Sequence, residues 1–220
     1  MRPDDCYLVL VDAKRCDPDA HLCRPLLESR DKPIADTPWV AIAHGVKDGA
    51  FDIVRRSEVT PDQAHQAIAA AQKRLEARKA KWPVIGASSF FGFFKKPLML
   101  RASDTAASGG LDPIDDLTCE FMLSAPHLRE AAQILKRAEI LVAAPMRGWM
   151  VAAIGPWLPT CAIEQMTKGI HSRAQHQAVC PYVFTARDGV LTSMIVHEVT
   201  DSGGWVAIRQ GTPDNESWRV

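Results

Sequence analysis

The sequence carries no excess of charge of either sign, since 26 Lys and Arg residues balance 26 Asp and Glu residues. A large net positive charge is the usual electrostatic signature of proteins that bind nucleic acid or anionic membranes. The total charge therefore favours neither class of ligand. The contents of 47% hydrophobic and 24% charged residues are ordinary for a globular protein. A chain of 220 residues can bury a sizeable core without disulfides or metals.

The sequence also lacks an export signal and a membrane-spanning run. Asp4 and Asp5 stand near the N-terminus, where a signal peptide needs positive charge. The longest apolar region, residues 140–158, is interrupted by two prolines and by Arg147, so we interpret it as separate core segments. We therefore expect a cytoplasmic protein without a membrane span.

Motifs for cofactors and for common catalytic sites are absent as well. The sequence has no phosphate loop, no dinucleotide-binding fingerprint, and neither a G-x-S-x-G nor an H-E-x-x-H motif. Its six cysteines show no spacing typical of a disulfide framework, so we expect reduced thiols. The sequence thus predicts no cofactor and no metal centre.

The clearest structural pattern lies in residues 180–210. Asp188 and Gly189 predict a two-residue type I′ turn, in which both residues need positive φ. Strand-like runs flank this turn, and a third strand is expected at 205–209. Such a meander is only marginally stable alone, so it must pack against helices.

A two-residue turn also fixes the register of the hairpin that it closes. It places Arg187 opposite Val190. Regular pairing beyond them predicts three more cross-strand pairs: Thr185 with Thr192, Tyr182 with Ile195, and Cys180 with His197. One face of the hairpin would then carry five core side chains: Tyr182, Phe184, Ala186, Leu191 and Ile195.

The rest of the chain alternates short strands and helices without a regular rhythm. Strands are expected at 7–11, 39–43, 51–54, 98–100, 140–144 and 149–154, and helices at about 22–29, 61–82, 126–138 and 161–171. This order favours an α+β fold with antiparallel sheet packed against about three longer helices. We expect a single domain over residues 1–220, with 102–110 as the place where it would divide into two halves.

One candidate for catalysis pairs Cys161 with His197. Cys161 follows Thr160 at the start of a predicted helix, where free backbone N–H groups and the helix dipole stabilise a thiolate. A cysteine at a helix start followed by a histidine on a strand is the order found in papain-type hydrolases, with His197 as the base. The surrounding residues match no nucleophile motif, and the alternative is a small buried residue at a helix start.

Two further groups contain potential metal ligands. Cys180 and His197 could combine with His171 and His176, and a loop from Cys16 to Cys23 contains thiols, carboxylates and an imidazole. Neither has the tight C-x-x-C spacing of a zinc site or the glycine of a calcium loop. A packed thiol, a hydrogen-bonded histidine and a polar loop are the alternatives.

Charge is segregated along the chain despite its neutral total. Residues 73–101 contain eight Lys or Arg and one acid, whereas residues 102–128 contain five acids and no Lys or Arg. A basic helix beside a phenylalanine cluster is suited to an acidic partner, to single-stranded nucleic acid, to an anionic membrane surface or to the chain's own acidic segment. The alternative is a solvated helix face and four phenylalanines in the core. The candidate binding residues are Lys73, Arg74, Arg78, Lys79, Lys81, Phe90, Phe91, Phe93, Phe94, Lys95 and Lys96.

These patterns favour a non-catalytic protein that binds a protein partner, or a second copy of itself, through the surface of residues 73–101. A cysteine hydrolase built on Cys161 and His197 is the alternative from a different class. Binding of single-stranded nucleic acid is a third hypothesis, and it predicts an affinity that falls steeply with salt.

Overall fold

A computed structural model of the protein describes residues 2–27, 37–47, 50–90, 94–104, 113–155, 160–174, 177–199 and 205–210. These residues form an α+β fold with antiparallel sheets, as the sequence predicted. The first sheet contains β1 (Tyr7–Val11), β2 (Cys23–Pro25), β3 (Trp39–Lys47) and β4 (Ala50–Ile53). In this sheet β3 pairs with each of the other three strands.

The prediction of a helix near residues 22–29 is wrong for residues 22–27, which are the part that the structure describes. Residues Cys23–Pro25 extend as β2 and pair with Ala41, Val40 and Trp39 of β3. The backbone hydrogen bonds of a sheet partner therefore override the local preference of this short segment.

The other strands make two further sheets. In chain order they are β5 (Ala80–Lys81), β6 (Val84–Phe90), β7 (Phe94–Arg101), β8 (Ser103–Asp104), β9 (Glu139–Met146), β10 (Trp149–Ile154), β11 (Val183–Arg187), β12 (Val190–Val199) and β13 (Trp205–Gln210). The larger sheet has the strand order β13-β12-β11-β9-β10-β7-β6, and β5 pairs with β8. Since β6 and β13 stand at the two ends of this order, they are its edge strands.

Among the described residues, three α-helices pack against these sheets: α1 (Pro61–Ala77), α2 (Ala125–Leu135) and α3 (Thr160–Arg173). The predicted start of α1 is confirmed, because the Thr60 hydroxyl accepts a hydrogen bond from the Gln63 N–H and the Gln63 side chain accepts one from the Thr60 N–H. This reciprocal pair satisfies two donors at the helix start. A 3₁₀ segment that is kinked at Leu117, Pro113–Leu123, precedes α2.

The predicted end of α1 at Trp82 is wrong, because the helix ends at Ala77. Arg78 adopts an extended backbone, and residues 80–81 pair with β8 instead of adding a helical turn. The Arg78 carbonyl accepts a hydrogen bond from His127 Nε2, at 2.9 Å. A long-range contact thus ends the helix where the sequence shows no breaker.

The C-terminal meander is formed by β11, β12 and β13. Asp188 and Gly189 have φ of 54° and 84°, as a type I′ turn requires, and Arg187 faces Val190. The turn and its first pair are therefore confirmed.

The register beyond the first pairs is not the regular one. Thr185 faces Ser193 and not Thr192, because a β-bulge lies between Thr185 and Ala186 in this ladder. The Thr185 hydroxyl lies 2.7 Å from the Thr192 hydroxyl and 2.6 Å from that of Ser193. Two residues of β12 thus oppose one residue of β11, which is the definition of a bulge.

This bulge overturns the predicted pairs further along the hairpin. Ile195 faces Val183 and not Tyr182, and it lies in the cluster on the opposite side of the sheet from Phe184. The expected pair of Cys180 with His197 is wrong too, since β11 begins only at Val183.

The core lies on both faces of the seven-stranded sheet. The main cluster joins one face to α1, α2 and the first sheet, and includes Leu10, Phe121 and Phe184. A smaller cluster covers the other face, where Ile163 of α3 packs against residues such as Leu141. Alternate residues of the central strands therefore face two different sets of buried side chains. In the described part of the chain, no helix is long and apolar enough to cross a membrane.

Candidate functional site

The predicted catalytic pair lies on α3 and β12. Cys161 is the second residue of α3, and the backbone of His197 pairs with Ala207 of β13. The side chains of Cys161 and His197 lie outside the described part of the structure, so this pair stays a prediction. The helix start at Thr160 agrees with the expected position of the thiol.

The potential metal ligands do not converge among the described residues. Within those residues, no group of three or more His, Cys, Asp or Glu side chains is arranged to hold a metal ion. Cys180 is fully buried, and its sulfur accepts a hydrogen bond from the Tyr182 N–H at 3.4 Å. His176 lies outside the described residues.

Two arginines of the predicted basic surface make contacts inside the molecule. The Arg74 guanidinium lies 4.4 Å from the centroid of the Tyr7 ring and donates to the Cys6 carbonyl at 3.0 Å. Arg78 lies over the Phe121 ring at 4.9 Å and donates to the Leu117 carbonyl at 3.2 Å. Both side chains are half-buried, so they contribute to folding and offer little to a ligand.

The backbone also joins the basic and acidic segments of the chain. Ala80 pairs with Asp104 and Lys81 with Ser103, across β5 and β8. Together with the Arg78–Leu117 hydrogen bond, this pairing docks residues 78–81, near the beginning of the basic segment, against the beginning and middle of the acidic one. The basic and acidic segments therefore bind each other in part within the chain.

Three lysines of the predicted surface remain exposed: Lys73, Lys79 and Lys81. Phe91 and Phe93 lie outside the described residues. For four more predicted binding residues the structure describes the backbone alone, in β6 and β7: Phe90, Phe94, Lys95 and Lys96. The phenylalanine cluster as a binding surface thus stays a prediction.

The strand that follows these lysines exposes apolar side chains. Val84 is 52% exposed and Ile85 is 47% exposed, at the start of the edge strand β6. Trp82, next to them in sequence, is half-buried and donates from Nε1 to a Glu130 carboxylate oxygen of α2 at 3.0 Å. Residues 84 and 85 belong to the basic and aromatic segment of the sequence, but their edge position is not visible in sequence.

A buried ion pair lies apart from the predicted surface. Glu120 is fully buried, and its carboxylate lies 2.8 Å from Arg147 Nη1. The same carboxylate accepts the Leu10 N–H at 3.0 Å, and Arg147 Nη2 donates to the Leu10 carbonyl. The pair thus binds both backbone groups of one residue on the edge strand β1, as a neighbouring strand would.

The ion pair also contacts a neighbouring thiol and an aromatic ring. Burial raises the pKa of the Cys119 thiol, which therefore stays protonated and lies 3.0 Å from Glu120 as a hydrogen-bond donor. The Arg147 guanidinium lies 4.4 Å from the centroid of the Phe51 ring in β4. This buried charge cluster, whose members all have hydrogen-bond or ring contacts, joins the first sheet to the seven-stranded sheet. Its role is therefore structural.

His127 of α2 is a second buried polar residue that the sequence analysis missed. Its ring stacks on Phe121 with centroids 4.2 Å apart, and Nε2 donates to the Arg78 carbonyl. Nδ1 lies 2.5 Å from the Ser124 hydroxyl. Because both ring nitrogens have partners, the histidine ties α1 to α2 and is not placed for proton transfer to a ligand.

Comparisons of the chain with known protein families, curated proteins and solved structures found no match.

Proposed function

We propose that this protein is a non-catalytic binding protein that captures an acidic, extended segment of a partner protein along β6. The observation that carries the proposal is the exposure of Val84 (52%) and Ile85 (47%) on an edge strand, next to exposed lysines. Adjacent exposed apolar side chains on an edge strand favour contact with another chain.

The edge position of β6 supplies the backbone part of the binding site. β6 pairs with β7 on one side, and no described strand pairs with its other side. An extended peptide can add to such an edge through main-chain hydrogen bonds. The seven residues of β6 include no charge and no proline, two devices that usually keep edge strands from pairing.

Irregular pairing limits where an added strand can lie. The β6–β7 ladder shifts register between Val84 and Gly86 and again between Gly86 and Ala87, and the pairing is regular over residues 87–90. Bulges twist an edge strand, so the regular stretch is the better template for backbone pairing. Val84 and Ile85 would then contact side chains at one end of the bound segment.

Charge supplies the preference for an acidic segment. Lys79 and Lys81 are exposed where the chain enters β6. Exposed ammonium groups at this entrance favour a partner of opposite sign and speed its encounter.

Selection from a library of random linear peptides tests the proposal on the full chain. We expect enrichment of peptides that combine acidic residues with alternating apolar ones. Ile85→Lys should weaken the selected peptides about tenfold or more, because it places a charge where an apolar side chain binds. Ile134→Lys is the matched control, since Ile134 is 36% exposed but lies on α2, and it should leave the affinity unchanged.

The charge contribution has its own pair of variants. Lys79→Glu combined with Lys81→Glu should weaken acidic peptides and remove most of the salt dependence, whereas Lys14→Glu, at an exposed lysine outside β5 and β6, should not. Equal losses for Ile85→Lys and Ile134→Lys, or no acidic enrichment, would contradict the proposal. Sedimentation showing a dimer that Ile85→Lys abolishes would assign the edge to self-association, and salt-sensitive binding of oligothymidine would assign the surface to nucleic acid.

A further inference from the structure

Cys16 and Cys23 lie together in the fold, although six residues separate them in sequence. Cys16 packs against the small apolar cluster on the first sheet that contains Cys23. Both are free thiols in the structure. Cys23 is 3% exposed, whereas Cys16 is half-buried and can be reached from solvent.

A tight turn brings the two cysteines to the same side of the first sheet. The Asp17 carbonyl accepts the N–H groups of Ala20 and His21, at 3.2 and 2.8 Å, and the Asp17 N–H donates to His21 Nδ1 at 3.1 Å. Cys23 then begins β2 and pairs with Ala41. The chain therefore reverses between the two cysteines and returns beside its own start, in a geometry fixed by the sheet.

The two thiols ionise as a pair. The hydrogen bond from Cys16 lowers the pKa of Cys23, and the positive charge of Arg56 acts in the same direction against the effect of burial. The same hydrogen bond and burial raise the pKa of Cys16. A thiolate on Cys23 held by the thiol of Cys16 is the arrangement that a reactive dithiol uses.

We propose that Cys16 and Cys23 form a redox-active dithiol, which closes to a reversible disulfide by exchange with a small-molecule disulfide such as oxidised glutathione. The proposal rests on the packing of Cys16 against the cluster that contains Cys23, on the turn between the two cysteines and on the access to Cys16. It is independent of peptide binding at β6.

The exchange takes two steps. The sulfur of Cys16 attacks one sulfur of the small disulfide while its proton passes to the Cys23 thiolate beside it, and the S–S bond breaks and releases one thiolate. The Cys23 thiol then loses this proton to solvent, attacks the Cys16 sulfur and releases the second thiolate. The protein loses two protons and two electrons, and the small disulfide gains both as two thiols.

The other described cysteines are poorly suited to this reaction. Cys6, Cys119 and Cys180 are fully buried, and burial raises the pKa of Cys6 and of Cys119. Among the five cysteines whose side chains the structure describes, the dithiol therefore offers the one pair with an accessible sulfur and a resolving partner. The reduced thiols expected from the sequence are its resting form.

Mass spectrometry of the native full chain tests the proposal directly. Tryptic cleavage releases residues 16–30, which include Cys16 and Cys23 and no other cysteine. After incubation with oxidised glutathione and alkylation of the remaining thiols, we expect this peptide to lose two hydrogens. Excess dithiothreitol should restore the two thiols. Denaturing the chain in urea before exchange should lower the equilibrium constant for bridging about tenfold or more, because the fold no longer holds the sulfurs together.

Single variants separate the two roles. Cys23→Ser should leave one glutathione attached to Cys16, because the resolving thiol is gone. Cys16→Ser should leave residues 16–30 unmodified, since Cys23 is buried, and Cys6→Ser should bridge as the wild type does. The proposal is overturned if the native peptide stays reduced, if it carries glutathione without a bridge, or if it bridges only after denaturation.

Discussion

Replacing Arg147 should cost this protein a large part of its stability. Its guanidinium is the partner of the buried Glu120 carboxylate and also binds the Leu10 carbonyl. Arg147→Met should lower the free energy of unfolding by about 3–5 kcal/mol, because it leaves a buried charge without its counter-ion. Urea denaturation at neutral pH measures this change.

Arg187 provides the matched control at the same scale. It also pairs with a carboxylate, at 3.0 Å from Glu139, but its side chain is 59% exposed. Arg187→Met should therefore change stability by less than about 1 kcal/mol. Similar losses for the two arginine variants would show that the buried pair is not the tie that its geometry indicates.

The turn between β11 and β12 depends on one backbone conformation, the positive φ of Gly189. Gly189 has a φ of +84°, and a Cβ there would lie 2.7 Å from the Ala125 carbonyl oxygen at the start of α2. Gly189→Ala should thus destabilise the fold by about 1–3 kcal/mol. Gly155→Ala is the control, since its Cβ would meet nothing within 4 Å and its φ is not in the left-handed region. Thermal unfolding should show a lower Tm for Gly189→Ala and an unchanged Tm for Gly155→Ala.

The same turn marks how far the sequence can predict an element. Asp188 and Gly189 identify the turn from sequence because few residues tolerate positive φ. The bulge at Thr185 leaves no such signal, since it depends on a hydroxyl that contacts both Thr192 and Ser193 across the hairpin. One extra residue then moves Ile195 to the other face of the sheet.

For the whole molecule, strand and helix patterns were enough to predict the α+β class, but not which strands stand at the edges. The exposed pair on β6 and the contact between Cys16 and Cys23 are products of sheet order and loop reversal, which local patterns do not contain. Local patterns also do not show that Arg74 and Arg78 of the predicted basic surface donate hydrogen bonds to carbonyl groups far along the chain.

The main core cluster indicates that the described parts of the chain unfold together. It contains residues from Cys6 to Met194, drawn from both large sheets and from α1 and α2, and the Glu120–Arg147 pair adds a polar tie across them. We expect β3 and β9 to lose protection against hydrogen exchange at the same urea concentration, as one cooperative unit does. Arg147→Met should lower both midpoints equally. Two separate transitions, one for segments before residues 102–110 and one for segments after them, would instead show that the chain has two domains and that the shared core couples them only weakly.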